Sequence, residues 1–322
     1  MKAIYLQSRG AYRNELHSDT LFGLICWAIR QVFSEARLVE LLKAFSAGQP
    51  PFLLSSAFPC VKDDADWKPF LPRPLLPPPE PVAELSREEA QRLKRYKQLR
   101  YVPADHFNQF LQGVYSDGSY YKSDVWEKLA SEVPIPRCTD RLHSTIDRLS
   151  GTTDGEGTLY SEPEYRTDAL YFLLDGEEAE LVVTALRFLE DFGWGGGNSV
   201  GYGHFAATAD ESPLGATVAE PNRFITLSLY HPRPDELAHF KTGEAWYELV
   251  VRKGKVGGHF LQAGDFWKRS VLMFSPGSTF PAMAEKQVYG CNPIVKGRKD
   301  GLPFDVQQFG YAFVIGMKTA RE

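Results

Sequence analysis

Six glycines crowd the stretch Phe192-Gly193-Trp194-Gly195-Gly196-Gly197-Asn198-Ser199-Val200-Gly201-Tyr202-Gly203-His204-Phe205. Glycine at this density lets the backbone take positive φ and lets another chain approach without meeting a Cβ. The N–H groups of such a loop can converge on an anion. Asn198 and Ser199 add polar side chains, and Trp194, Tyr202 and Phe205 offer rings. The chemistry available is contact with a phosphate backbone and stacking on bases. The plainer alternative is a long helix cap and turn with no ligand. A second candidate is His17-Ser18-Asp19-Thr20, in which three of four residues are good helix N-caps. Either Ser18 or Asp19 simply caps a helix, or the helix N–H groups and dipole hold a phosphate with His17 beside it. A third is the set Arg137, Arg141, His143 and Arg148 on one extended segment. Arginines so placed suit bidentate phosphate contacts or base stacking. Asp140, Asp147, Asp154 and Glu156 lie among them, so an ordinary salt-bridged hairpin is the competing reading.

These residues need elements to hold them. Glu180–Phe192, with Leu181, Val182, Ala185, Leu186, Leu189 and Phe192 near helical spacing, predicts a helix before the glycine loop. Tyr202–Ala206 predicts a strand after it. Helix-to-strand is the reverse of a Walker or Rossmann phosphate loop, and no Gly-x-x-x-x-Gly-Lys-Ser/Thr occurs. Behind Thr20, the residues Leu21, Phe22, Leu24, Ile25, Ala28, Ile29, Val32 and Phe33 form a helix face that must be buried against a sheet. Lys2–Ser8 predicts an N-terminal strand, Glu35–Ala47 a helix and Phe52–Phe58 a strand. Lys62–Pro81 carries seven prolines and predicts an extended surface arm. Ser86–Leu99 and His106–Tyr115 predict helices, the first with a solvated charged face; Gly113–Ser123 reads as polar turns. Two extended segments joined through Gly151–Gly157 predict a projecting β-hairpin, followed by a strand over Arg166–Asp175. A small-residue linker, Asp210–Asn222, then leads to strands at Arg223–Tyr230, Ala245–Arg252, Ser270–Phe274, Val288–Ile294 and Gln308–Gly316, with a short helix at Asp235–Thr242. Phe309–Gly316 is the most apolar of these and is expected at a sheet centre.

Composition bounds the rest. A chain of 322 residues suggests two domains, and 43% hydrophobic residues is ordinary for a packed protein. A net charge of −5 argues against nonspecific polyanion binding as the main role, without excluding a local basic groove. The four cysteines (Cys26, Cys60, Cys138, Cys291) are scattered, so neither a zinc site nor a disulfide framework is expected. No signal-type segment or membrane-length apolar run occurs, which points to the cytoplasm and no membrane partner. No cofactor and no metal are expected. The first half, its insertion set aside, gives the βαββαβ order of a ferredoxin-like unit, and the second half could be a degenerate copy. The expected fold class is therefore α+β: two ferredoxin-like (RRM-like) domains, residues 1–209 and 210–322. The first carries an insertion at about 60–135 and a thumb hairpin at about 137–167.

The helix start His17-Ser18-Asp19-Thr20-Leu21-Phe22-Gly23 and the glycine loop together resemble the RAMP superfamily of CRISPR proteins. With Ser55-Ser56-Ala57-Phe58-Pro59, Phe70-Leu71-Pro72-Arg73-Pro74 and Ile146-Asp147-Arg148-Leu149-Ser150-Gly151, the likeness narrows to the fourth subunit of the type III-A effector, the Csm complex. The resemblance covers the first half well and the second loosely. It implies a crRNA-binding subunit without catalysis that holds the repeat-derived 5′ handle. Its implied partners are the large polymerase/cyclase-like subunit, an adjacent backbone RAMP subunit, and target RNA near the thumb. It implies that Gly195, Gly196, Gly197, Asn198, Ser199 and Tyr202 line the handle, with His17 and Ser18 nearby and Arg137, Arg141, His143 and Arg148 in the thumb or its base. Many RAMP loops carry a Lys or Arg among the glycines, and this one has Asn198-Ser199 instead. The rival readings are a RAMP endoribonuclease using His17, His143 or His204 with Lys122 or Tyr202, the cap of a Cmr-type complex, and an unrelated enzyme on the same superfold.

Overall fold

The structure is a computed structural model that describes residues 1–319 apart from 64–65, 78–85, 130–131, 154–158, 216–217, 242–243, 258–265 and 285. It is a mixed α/β fold built on antiparallel sheets. In chain order the first half comprises β1 (Lys2–Ser8), α1 (Ser18–Val32), α2 (Glu35–Ser46), β2 (Leu53–Leu54), β3 (Phe58–Asp63), β4 (Asp66–Pro72), α3 (Arg87–Gln98), β5 (Tyr101–Pro103), α4 (Ala104–Leu111), α5 (Asp117–Lys122), α6 (Val125–Leu129), β6 (Arg137–Ser144), β7 (Leu159–Arg166), β8 (Ala169–Asp175), α7 (Ala179–Phe192) and β9 (Phe205–Glu211). The main sheet runs β5-β4-β3-β8-β1-β9, with β2 also paired to β8. Because strand side chains alternate between faces, β1 feeds two cores. Ile4 and Leu6 pack with α1, α2 and α7, while Ala3 and Tyr5 pack with the α3–α6 region.

The proline-rich arm departs from expectation where it is described. Residues 58–63 and 66–72 form a β-ladder, with Pro69 opposite Cys60 and Pro72 opposite Tyr101. β4 changes neighbours part-way: Asp66 to Pro69 face β3, and Phe70 to Pro72 face β5. Among the described residues each part pairs on one side only, and a sheet edge is where a missing N–H is tolerated. Pro78, Pro79 and Pro81 lie outside the described residues. The polar segment 113–123 is also more ordered than expected. It contains α5, begun by a Ser116–Ser119 capping box. The tip of the thumb hairpin, 154–158, lies outside the described residues.

The second half comprises β10 (Arg223–Thr226), α8 (Pro234–Phe240), β11 (Leu249–Arg252), β12 (Val271–Phe274), β13 (Thr279–Pro281), β14 (Ile294–Lys296), β15 (Val306–Gln307) and β16 (Val314–Met317). Its described strands form three small sheets: β13-β10-β16, β11-β12 and β14-β15. The apolar run from Phe309 was expected to be a central strand. Only Val314–Met317 is strand, and it lies at a sheet edge. The run is apolar for another reason: Phe309 and Tyr311 insert into the core formed by α1, α2 and α7. Phe313 and Met317, with Val218, Ile225 and Leu227, complete the core on the other face of the main sheet. The predicted linker region therefore contributes a buried residue, and the two halves share both large cores. Among the described residues, no helix is long and apolar enough to cross a membrane.

Candidate nucleic-acid interface

The glycine loop begins where α7 ends. The Gly193 N–H caps the helix by donating to the Leu189 carbonyl at 2.9 Å, with φ at +94°. Trp194 is buried, and its N–H donates to the Gly203 carbonyl at 2.7 Å. The Gly203 N–H donates in turn to the Ala11 carbonyl at 2.9 Å. A Cβ on Gly203 (φ +75°) would fall inside the van der Waals shell of the Trp194 carbonyl, so only glycine closes the loop here. Between these anchors, Val200 and Tyr202 donate their N–H groups to the Gly197 carbonyl at 3.1 and 3.2 Å. The amides of Gly195, Gly196, Gly197 and Asn198 have no intramolecular acceptor among the described residues. Within this run of four successive donors, Gly195 lies at φ +93° and Gly197 at φ +77°.

The hairpin β6–β7 is locked to this loop at its base. It pairs from Arg137 opposite Arg166 to Ser144 opposite Leu159, and Tyr165 bridges to Tyr12. Tyr202 is the shared joint. Its hydroxyl donates to Glu164 Oε2 at 3.3 Å and accepts from Arg141 Nη1 at 3.3 Å, and Arg13 lies 4.5 Å over its ring. Arg13 also pairs with Glu162 at 2.5 Å. His143 stacks on Tyr160 and lies 3.8 Å from Glu162. Burial pushes the Glu164 carboxyl upward, but Arg166, Tyr202 and Arg141 outweigh it and hold the group below its usual range. Arg141 and Arg166 keep much of their side chains in solvent.

The structure thus gathers Gly197, Tyr202, Arg141 and His143 of the predicted residues into one cluster. Gly195, Gly196, Asn198 and the exposed Ser199 stand beside it on the same loop. Arg137 is at the root of the hairpin ladder, opposite Arg166, and Arg148 is exposed in the turn at the other end. His17 stands apart, its Nε2 paired with Glu15 at 3.0 Å. Ser18 requires a correction. It is fully buried; its N–H donates to Ser56 Oγ and its hydroxyl accepts the Leu229 N–H, both at 3.0 Å. The hydroxyl is a joint between the halves and is closed to any ligand. Asp19 completes that joint by accepting from Arg252 Nε and Nη2 at 2.9 and 3.0 Å and from Gln308 at 3.2 Å. The three histidines of the nuclease reading are not brought together: His17 is held by Glu15 and His143 by Tyr160 and Glu162. His204 sits in the loop-to-strand turn, its carbonyl accepting the Arg9 N–H.

The sequence reading missed Arg13, Asn14, Glu162 and Glu164. It took the segment after β1 as a simple connection. Yet Arg13 and Asn14 wall the loop, Arg13 Cδ lying 2.9 Å from where a Gly197 Cβ would sit and Asn14 Oδ1 3.4 Å from the Gly196 position. The available signal was the alternation across Leu159–Arg166, which places Glu162 and Glu164 on one face of a strand.

Comparison with known proteins agrees with this architecture. A family model described as the CRISPR Csm4 C-terminal domain matches residues 219–317. A Csm4 protein of a CRISPR system in Thermococcus onnurineus is 28% identical over 98% of this chain and 96% of its own length. One from Mycobacterium tuberculosis is 25% identical over 82% of this chain and 79% of its own length. By these matches the chain is Csm4-like along almost its whole length. Among solved structures, the fold matches a chain of a Csm3–Csm4 subcomplex from the type III-A CRISPR-Cas interference complex, with a TM-score of 0.63 at 15% identity over 99% of this chain and 100% of that one. It matches a chain of a Csm1–Csm4 cassette bound to pppApA with a TM-score of 0.61 at 20% identity, over 100% and 99%.

Proposed function

We propose that this chain is the subunit of a type III-A CRISPR interference complex that holds the 5′ handle of the crRNA and docks the large polymerase/cyclase-like subunit. In this reading it binds without performing chemistry and also contacts a backbone RAMP subunit and target RNA near the thumb. The observation that carries the reading is the run of amides at Gly195–Asn198 that have no acceptor among the described residues, fixed by Tyr202 beside the exposed Arg141 and Arg166 at the thumb base. A single strand of RNA offers what this surface lacks: phosphate acceptors for the amides and guanidinium groups, and bases to stack. The docking partners follow from the Csm1–Csm4 and Csm3–Csm4 assemblies to which the fold is similar. The order β9-β1-β8-β3, with α1 and α7 on one face, supports a ferredoxin-like first domain over residues 1–209. Residues 210–322 then form a second domain that packs on it.

The test is co-expression with the other effector subunits and a CRISPR array, purification through a tag on this chain, and sequencing of the RNA that accompanies it. The expected result is one population sharing a repeat-derived 5′ end, protected from added nuclease. Recovery of no defined RNA overturns the proposal.

A further inference from the structure

The basic side chains at the thumb base already have partners, and those partners are the wrong sign for RNA. Arg13 pairs with Glu162 at 2.5 Å, and His143 Nε2 lies 3.8 Å from the same Oε2. Arg166 and Arg141 reach Glu164 at 3.0 and 3.5 Å. Two carboxylates on one face of β7 are therefore shared by three arginines and a histidine. Glu164 is 6% exposed, a costly location for a carboxylate. Stability alone gives little reason for the arrangement, because pairs with exposed arginines contribute modestly. Its electrostatic effect on the surface is larger. The two negative charges lie in the cluster that joins the hairpin arginines to Tyr202 and Arg13 beside the glycine loop, and they lower the positive potential any incoming phosphate meets.

We propose that Glu162 and Glu164 are specificity-determining residues of this surface: resident counter-ions that fix Arg13, Arg141, Arg166 and His143 while RNA is absent, and that disfavour strands unable to use the loop amides. The inference rests on the RNA-binding reading above. An unrelated strand gains only the charge term, which these carboxylates reduce. A strand whose backbone follows the loop adds hydrogen bonds to Gly195–Asn198 that the carboxylates leave untouched. Discrimination then arises from a repulsive element as well as an attractive one.

The experiment measures binding of the full chain to two RNAs, the guide RNA recovered from the assembled complex and an oligouridylate of equal length, across a salt series. Glu162→Gln is the main variant because its side chain is half-exposed. Glu164→Gln is the second, and Glu162→Asp keeps the charge as a control. Thermal melting establishes that each is folded. The expected result is about two- to fivefold tighter oligouridylate binding for Glu162→Gln. Guide RNA should gain less, salt dependence should steepen, and Glu162→Asp should match the wild type. If wild type binds guide RNA and Glu162→Gln leaves both affinities unchanged, weakens them, or tightens both equally, the counter-ion role is overturned and the RNA-binding reading stands. If wild type binds neither RNA, the RNA-binding reading itself falls and takes this inference with it.

Discussion

Two helix ends in this molecule carry the same sequence promise, and they use it in opposite ways. At the start of α1, polar residues and N–H groups offer an anion site, and the chain uses them internally: the Ser18 N–H donates to Ser56 Oγ, and the side chains of Ser18 and Asp19 accept from the second half. Ser18 takes the Leu229 amide, and Asp19 binds Arg252 through both carboxylate oxygens. At the end of α7, glycines carry the backbone away from the helix, and four amides have no internal acceptor among the described residues. A buried polar group must find a partner. The α1 end lies in the seam between the halves and finds its partners there. The loop faces outward beside the hairpin and can take its partner from outside. Capping chemistry alone does not identify a ligand site; what the rest of the chain brings to the helix end decides it.

The sharpest way to break the comparison is Gly203→Ala. The added Cβ cannot coexist with the Trp194 carbonyl, and the residue must also hold φ +75°. The substitution should cost about 3–4 kcal/mol of stability. It should also abolish RNA recovery, because the loop loses its closing bonds to Trp194 and Ala11. Thermal melting and RNA co-purification read the two effects. A variant that melts like wild type would mean that the loop is not built as described.

At the other helix end, Asp19→Asn removes the charge that Arg252 pairs with, in a place where Asp19 is largely buried and Arg252 is partly exposed. A cost of about 2 kcal/mol is expected, below that of breaking a fully buried pair. The measurement is again the unfolding midpoint, now set against RNA affinity at a temperature where the variant is folded. Affinity should hold while stability falls. A loss of affinity in the folded variant would put the α1 end back among the RNA contacts and erase the contrast.

How much of this was legible in the sequence follows the range of the forces involved. The helix α1 was readable because its apolar spacing and polar start are local facts, and the same holds for α7, α3 and the hairpin. The ladder of β3 and β4 was hidden because proline is judged by what its missing N–H would have met, and β4 changes neighbours mid-strand. The run from Phe309 showed burial without showing what buries it: its rings enter the core of α1, α2 and α7, and Tyr311 donates at 2.5 Å to the carbonyl of Phe45, 266 residues earlier in the chain. Within the site, the loop glycines declared themselves by density. Arg13 did not, because its role comes from contacts with Tyr202 and Glu162, both far along the chain.

The mildest perturbation is pH, acting at the loop end through Glu164. In the folded chain, Arg166, Tyr202 and Arg141 hold the Glu164 carboxyl below its usual value. A group whose folded pKa is depressed contributes stability above its unfolded pKa and loses it as pH falls through the folded one. The tie between hairpin and loop should therefore be intact above roughly pH 4.3, the ordinary glutamate value, and loosen below it. Hydrogen exchange at the amides of Tyr165, bonded to Tyr12, and of Tyr202, bonded to Gly197, reports the tie directly. Protection at both should decline together as the carboxyl takes up its proton. Glu164→Gln has no such proton to gain, so its profile across the same range should be flat. If the wild-type amides keep full protection through that range, Glu164 does not tie the hairpin to the loop. Arg141 would then owe its position to Tyr202, and Arg13 to Glu162.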